Sequence, residues 1–100
     1  MPVDRRIILA RAAQRDLEEI ERYIGKVASP YRARAYIRRI LDFVGRFDYF
    51  PERGTLRSDI RPGLRVLGFE RRVSIAFMVR DSEIVIIRIL YGGRQIDPSD

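Results

Sequence analysis

Arg72-Val73-Ser74-Ile75-Ala76-Phe77-Met78-Val79-Arg80, then Asp81-Ser82, then Glu83-Ile84-Val85-Ile86-Ile87-Arg88-Ile89-Leu90-Tyr91: the reading of this stretch decides the fold. Both runs are rich in β-branched residues, and Asp81-Ser82 is a two-residue break of the kind that closes a β-hairpin. Setting Arg80 opposite Glu83 places Val79 against Ile84, Phe77 against Ile86 and Ile75 against Arg88 on one face. The other face carries Ser74, Ala76, Met78, Val85, Ile87 and Ile89. Both faces are apolar, so the sheet needs cover on two sides.

Working outward, Leu64 to Phe69 reads as a third strand, and Asp48 to Gly63 as irregular chain broken by Pro51, Gly54 and Pro62. Further upstream the period changes. Ala13, Leu17, Ile20, Ile24 and Val27 fall on one face of a helix spanning Ala12 to Ala28, with Arg15-Asp16 and Glu18-Glu19 on its solvated side. Ser29 suits an N-cap and Pro30 the first helical position. A second helix therefore runs from Pro30 to about Phe47, its stripe being Ala33, Ile37, Ile40, Val44 and Phe47. Two helices joined this tightly predict an antiparallel hairpin. Arg6 to Ala10 reads as a short strand.

The expectation is an α+β fold: a short N-terminal strand, an antiparallel helical hairpin, then a three-stranded antiparallel sheet, all in one domain over residues 1–100. The helical hairpin covers one sheet face. Small Ser74 and Ala76 point to theirs as the helix side. The face of Ile75, Phe77 and Arg88 is then left open, and an open, partly aromatic face on so small a domain is a docking surface. The alternative for Arg88 is an internal pair with an acid such as Asp59 or Glu70.

The chain has 100 residues, of which 46% are apolar, enough for one compact core. Cysteine and histidine are absent, which excludes disulfides, thiolate nucleophiles, imidazole bases and Cys/His zinc sites. No metal site and no cofactor are expected. The net charge is +6, and Lys26 is the lone lysine among 20 basic residues, so nineteen are arginine. Arginine makes fixed bidentate contacts and favours acidic partners; a GC-rich coding bias is the other explanation. No run approaches the ~20 apolar residues of a membrane span, and Met1 to Ala10 is too short an apolar run for a signal peptide, so a cytoplasmic protein without membrane contact is expected.

Four segments carry a resemblance. Gly63-Leu64-Arg65-Val66-Leu67 is similar to a "GLR-hydrophobic" strand opening. Glu83 to Gln95, with Ile84, Ile86, Arg88, Leu90, Tyr91, Gly92 and Arg94, is similar to "I-x-I-x-R-[VI]-L-[HY]-G-x-R". Ala13 to Ile24 resembles "A-x-x-D-L-x-x-I-x-x-Y-I", and Phe50-Pro51-Glu52-Arg53-Gly54 resembles a "P-x-x-G" turn. In this order they resemble the RelE/ParE toxin superfamily of bacterial toxin–antitoxin modules, whose plan of strand, two helices, loop and sheet agrees with the one read above. The RelE branch cleaves messenger RNA on the ribosome, and the ParE branch poisons DNA gyrase. Endonucleases of the first branch set lysines and a late tyrosine around the scissile phosphate. Here the sheet region lacks lysine and no tyrosine follows Arg94, which favours the ParE branch.

That resemblance implies a type II toxin that inhibits DNA gyrase, is bound and neutralised by a ParD-like antitoxin in a hetero-oligomer, and has no catalytic residues. It implies charged contacts from Arg65, Arg88 and Arg94. It also implies an antitoxin groove formed by Phe47, Tyr49, Phe50, Leu67, Phe69, Ile75 and Phe77, for which ordinary core is the alternative at Phe69 and Phe77. The second reading is a RelE-type endonuclease, with Arg65, Arg71, Arg72, Arg88 and Arg94 clamping phosphate. A third is a plain nucleic-acid-binding module, against which stands the lack of a regular aromatic array; no sequence-specific nucleic-acid binding is expected.

Overall fold

The computed structural model describes residues 5–99. The elements are β1 (Arg6–Leu9), α1 (Arg11–Val27), α2 (Pro30–Val44), β2 (Thr55–Leu56), β3 (Leu64–Phe69), β4 (Val73–Val79) and β5 (Glu83–Tyr91). The α+β class is as expected, but the sheet is larger. It has five strands in the order β1-β5-β4-β3-β2. β1 joins β5 in parallel, from Arg6 beside Glu83 to Leu9 beside Ile86. The two-residue β2 extends the far edge by pairing with Val66 and Arg65 of β3. A hairpin alone would leave the backbone of the apolar β5 unpaired on one side; β1 fills that edge.

The helical hairpin follows from local chemistry. The Ser29 hydroxyl accepts the Arg32 backbone N–H at 3.1 Å, and Pro30 opens α2. α2 stops at Val44, and a run of turns carries the chain to Phe50, with Phe47 N–H bonded to the Val44 carbonyl at 3.1 Å. α1 starts directly out of β1, whose continuation is anchored by Ala10 N–H on the Ile86 carbonyl at 2.9 Å.

The β4–β5 hairpin keeps the expected register from Val79 opposite Ile84 to Phe77 opposite Ile86. It then shifts. Ala76 meets Arg88 and Ile75 meets Ile89, so the expected Ile75–Arg88 pair does not form. An extra residue on β5, Ile87, is taken up as a bulge.

The bulk of the core lies between the helices and the sheet face of Val73, Ile75, Phe77, Ile84, Ile86 and Ile89, packed against Leu17, Ile20, Tyr36, Ile40, Val44 and Phe47. The expected assignment of faces is thereby reversed: Ser74 and Ala76 lie on the side away from the helices. A close-packed layer between helix and sheet needs volume, which the branched and aromatic side chains supply and Ser74 and Ala76 do not. Phe47, Ile75 and Phe77 are each 0% exposed, so these three groove candidates are core in this chain. Phe47 packs edge-on against Phe43 at 5.3 Å and lies 4.7 Å from Phe77.

The β3–β4 turn holds Glu70 and Arg71 at φ of 48° and 64°, a left-handed geometry that non-glycine residues rarely adopt. It is fastened to α2 by a two-bond Arg39–Glu70 pair at 2.9 and 3.0 Å. No helix among the described residues is long and apolar enough to cross a membrane.

Candidate functional site

The side of the sheet away from the helices is formed by Leu64 and Val66 of β3, Ser74, Ala76 and Met78 of β4, and Val85 and Leu90 of β5, as the register dictates. Leu64, Ala76 and Leu90 are nearly sealed, while Val66, Ser74, Met78, Val85 and Ile87 are half-buried. The cover is local. The segment around Arg57 to Ile60 folds over one end, tied by Arg57 N–H to the Leu64 carbonyl at 2.7 Å. Gln95 and Ile96 close the same end from the other side. A cleft of about 330 Å³ remains between them, floored by Val66, Ala76 and Leu90 and rimmed by Arg57 and Arg94. The expectation that this chain supplies nothing to its second sheet face is thus corrected: loop and tail shield one end, and the Met78–Val85–Ile87 end stays half open.

The two rim arginines differ. Arg57 grips Asp59 with bonds of 3.0 and 2.9 Å, which raises the guanidinium above its ordinary value and holds the Asp59 carboxyl below the usual carboxylate range. Arg94 is exposed, and no ion pair engages it among the described residues. The cleft therefore presents an apolar floor and one ready cation, an arrangement for holding an acidic side chain beside apolar anchors.

The other two charged candidates are elsewhere. Arg65 follows β3 onto the helix side, in register with Phe77, and makes a long 3.5 Å contact to the Arg53 carbonyl. Arg88 is paired inside the protein, though with neither Asp59 nor Glu70. Its Nε and Nη2 donate to the two Asp16 carboxylate oxygens at 2.7 and 2.8 Å. Ile89 N–H donates to the same carboxylate at 2.9 Å, because β1 has already ended where the bulge aims that N–H. Asp16 is 5% exposed, so the reading of Arg15-Asp16 as a solvated run fails at Asp16. The signal was available: Asp16 stands three residues after Ala13 and four before Ile20, on the buried stripe itself.

Of the aromatic candidates, Tyr49 and Phe50 are exposed on the connection after α2, with the Arg53 guanidinium 5.8 Å from the Phe50 ring. Leu67 and Phe69 are half-buried on the helix side, where Phe69 stacks at 4.7 Å on Phe43. These four are not part of the cleft. Met78, Val85, Arg57, Ile60 and Ile96, which do form the open face and its rim, were not singled out by sequence. Among the described residues no group of three or more acidic side chains could hold a metal ion.

The comparisons with known proteins agree with this fold. The family model described as "ParE toxin of type II toxin-antitoxin system, parDE" matches residues 7–96. The chain is 32% identical over 87 residues to Toxin ParE3 of Caulobacter vibrioides, covering 87% of this chain and 86% of that one. It superposes with a TM-score of 0.77, at 28% identity, on a chain from the chromosomal ParDE toxin–antitoxin system of P. aeruginosa, covering 88% of this chain and 96% of that one. With the family model spanning β1 through the segment after β5, this chain belongs to the ParE toxin family of type II toxin–antitoxin systems.

Proposed function

We propose that this toxin inhibits DNA gyrase and is neutralised when a ParD-like antitoxin lays an acidic segment across the open sheet face. The observation that carries the reading is the half-covered apolar face with exposed Arg94 at its rim. A net charge of +6 favours an acidic partner by attraction at a distance. A segment that folds on contact gains the burial of Met78, Val85 and Ile87 and the charge-assisted bond to Arg94. Tyr49 and Phe50 extend the proposed contact as exposed aromatic anchors, while Leu67 and Phe69 face the helices and stay core in this reading. Arg65 and Arg88 hold local structure in this reading and do not reach for the partner.

The toxic action needs no proton transfer by the chain itself, since trapping a cleaved-DNA intermediate is a matter of binding. Adding the purified chain to gyrase and supercoiled plasmid should accumulate linear DNA after denaturation. Adding the antitoxin should restore supercoiling. Unaltered supercoiling together with message cleavage in a translating extract would transfer the function to the endonuclease branch.

A further inference from the structure

A second cleft, of about 650 Å³, lies on the opposite side of the molecule's core from the open face, where the α1–α2 junction meets the β3–β4 turn and the end of β5. Ile24, Val27 and Ala28 form an apolar wall; Arg32, Arg39 and Arg72 form the other, facing Tyr36 and Tyr91. Among the described residues, three cations stand there against a single carboxylate, Glu70. Arg39 is spent on that carboxylate, whereas neither Arg32 nor Arg72 is held in an ion pair among the described residues. At the back is Tyr36, 9% exposed, whose hydroxyl is buried with no hydrogen-bond partner.

A buried hydroxyl without a partner costs free energy that a purely structural side chain would avoid. Phenylalanine would fill the same space and keep the ring contacts to Phe69 at 6.3 Å and Tyr91 at 6.2 Å. The Arg39 guanidinium lies 5.0 Å over the Tyr36 ring, at the edge of the same cleft. Arg39 itself is held by its two bonds to Glu70, which leaves Arg32 and Arg72 as the cations of the cleft without an ion pair among the described residues. Burial, with the Glu70 and Tyr91 charges added, pushes the Tyr36 phenol above its ordinary value, and it stays a donor at neutral pH.

We propose that this cleft binds a small phosphomonoester, its phosphate held by Arg32, Arg72 and the Tyr36 hydroxyl and its flat body lying along Ile24, Val27 and Tyr91. Two free guanidinium forks and a neutral O–H match a dianion with several acceptor oxygens, and a monocarboxylate would use only part of them. The strained β3–β4 turn gives the site its shape: the left-handed Glu70 and Arg71 bring Glu70 onto Arg39 and deliver Arg72 to the rim.

The test is a titration of the full-length chain, followed by NMR at the tyrosine rings and arginine Nε groups, with inorganic phosphate, adenosine monophosphate and acetate. Phosphate and adenosine monophosphate should shift Tyr36 and Arg72 saturably, the nucleotide binding more tightly, while acetate leaves both unmoved. Tyr36→Phe should weaken phosphate about tenfold without lowering the melting temperature, because the lost hydroxyl has no partner to abandon. Arg72→Gln should weaken it similarly, and Arg38→Gln, outside the cleft, should not. Phosphate affinity unchanged in Tyr36→Phe would overturn the proposal, as would acetate binding as well as phosphate. The gyrase assay is independent of either result.

Discussion

Asp16 is where one side chain does most for the structure. Its carboxylate satisfies a buried guanidinium and a strand N–H that the bulge leaves without a strand partner. Asp16→Ala would remove both carboxylate bonds from Arg88, whose side chain is 14% exposed, and orphan the Ile89 N–H. Breaking a buried pair from one side costs about 3–5 kcal/mol, which equilibrium urea unfolding would report as a lower midpoint with an unchanged slope. Replacing both partners, as Asp16→Leu with Arg88→Met, should recover much of that loss. A single-variant cost below about 1 kcal/mol would mean that Arg88 is solvated after all. From sequence Arg88 was legible as a charge needing an explanation, and an internal pair stood as an alternative. The partner was not legible, because strand alternation fixes which residues share a face and says nothing of which helix residue lies above them.

Elements differ in how far local chemistry specifies them. The helices were readable to within a turn, since the 3.6-residue stripe, Ser29 and Pro30 all act locally. The hairpin register was readable as far as Phe77 and Ile86 and was lost at the bulge, which depends on a carboxylate more than seventy residues away in the chain. Two glycines measure the same contrast. Gly25 lies in α1 with open space where a Cβ would be, so Gly25→Ala should stabilise by about 0.5–1 kcal/mol. Gly54 sits at φ +76° with a Cβ position 2.5 Å from the Val66 carbonyl oxygen, so Gly54→Ala should destabilise by about 1–3 kcal/mol and loosen β2. Thermal melts of the two variants should move in opposite directions.

The turn joining β3 to β4 gives a pH prediction at the same scale. Its Glu70 carboxyl is held below its ordinary value of 4.5, chiefly by the Arg39 hydrogen bonds. A carboxyl depressed in the folded state contributes stability that is complete above the unfolded value and is lost as pH falls through the folded one. The pair is largely exposed, so the contribution is about 0.5 kcal/mol. Glu70→Gln should therefore narrow the gap in stability between pH 7 and acid conditions, and urea midpoints against pH would show it. An unchanged pH profile would mean the clip holds nothing in solution.

Across the whole molecule, two-sided apolar strands and a single layer of helix were enough to predict that one sheet face would be left partly uncovered. The choice of side was not settled by those facts. Small residues at Ser74 and Ala76 suggested close helix approach, but the core chose the bulky face, and the small residues lie where loop and tail pass over the sheet. Arg94 lies exposed at the rim of the open face, whereas Phe47, Ile75 and Phe77 are core and form no groove. On the proposed function, Arg94→Ala should lower toxicity on induction while circular dichroism and melting temperature stay as in the parent, since Arg94 supports no ion pair among the described residues. Growth curves with and without co-expressed antitoxin would read the effect, and undiminished killing would remove Arg94 from the site. Met78→Asp should weaken antitoxin binding more than gyrase inhibition if the open face serves the antitoxin.

The pairing of β1 with β5 has a consequence for the order of events during synthesis. β5 lies between β1 and β4, so the strand that ties β1 to the rest of the sheet is the last of the five to be made. Until it leaves the ribosome, β1 has no strand neighbour and α1 lacks the strand it packs on. The apolar face of α1 is thus open to chaperones until β5 emerges.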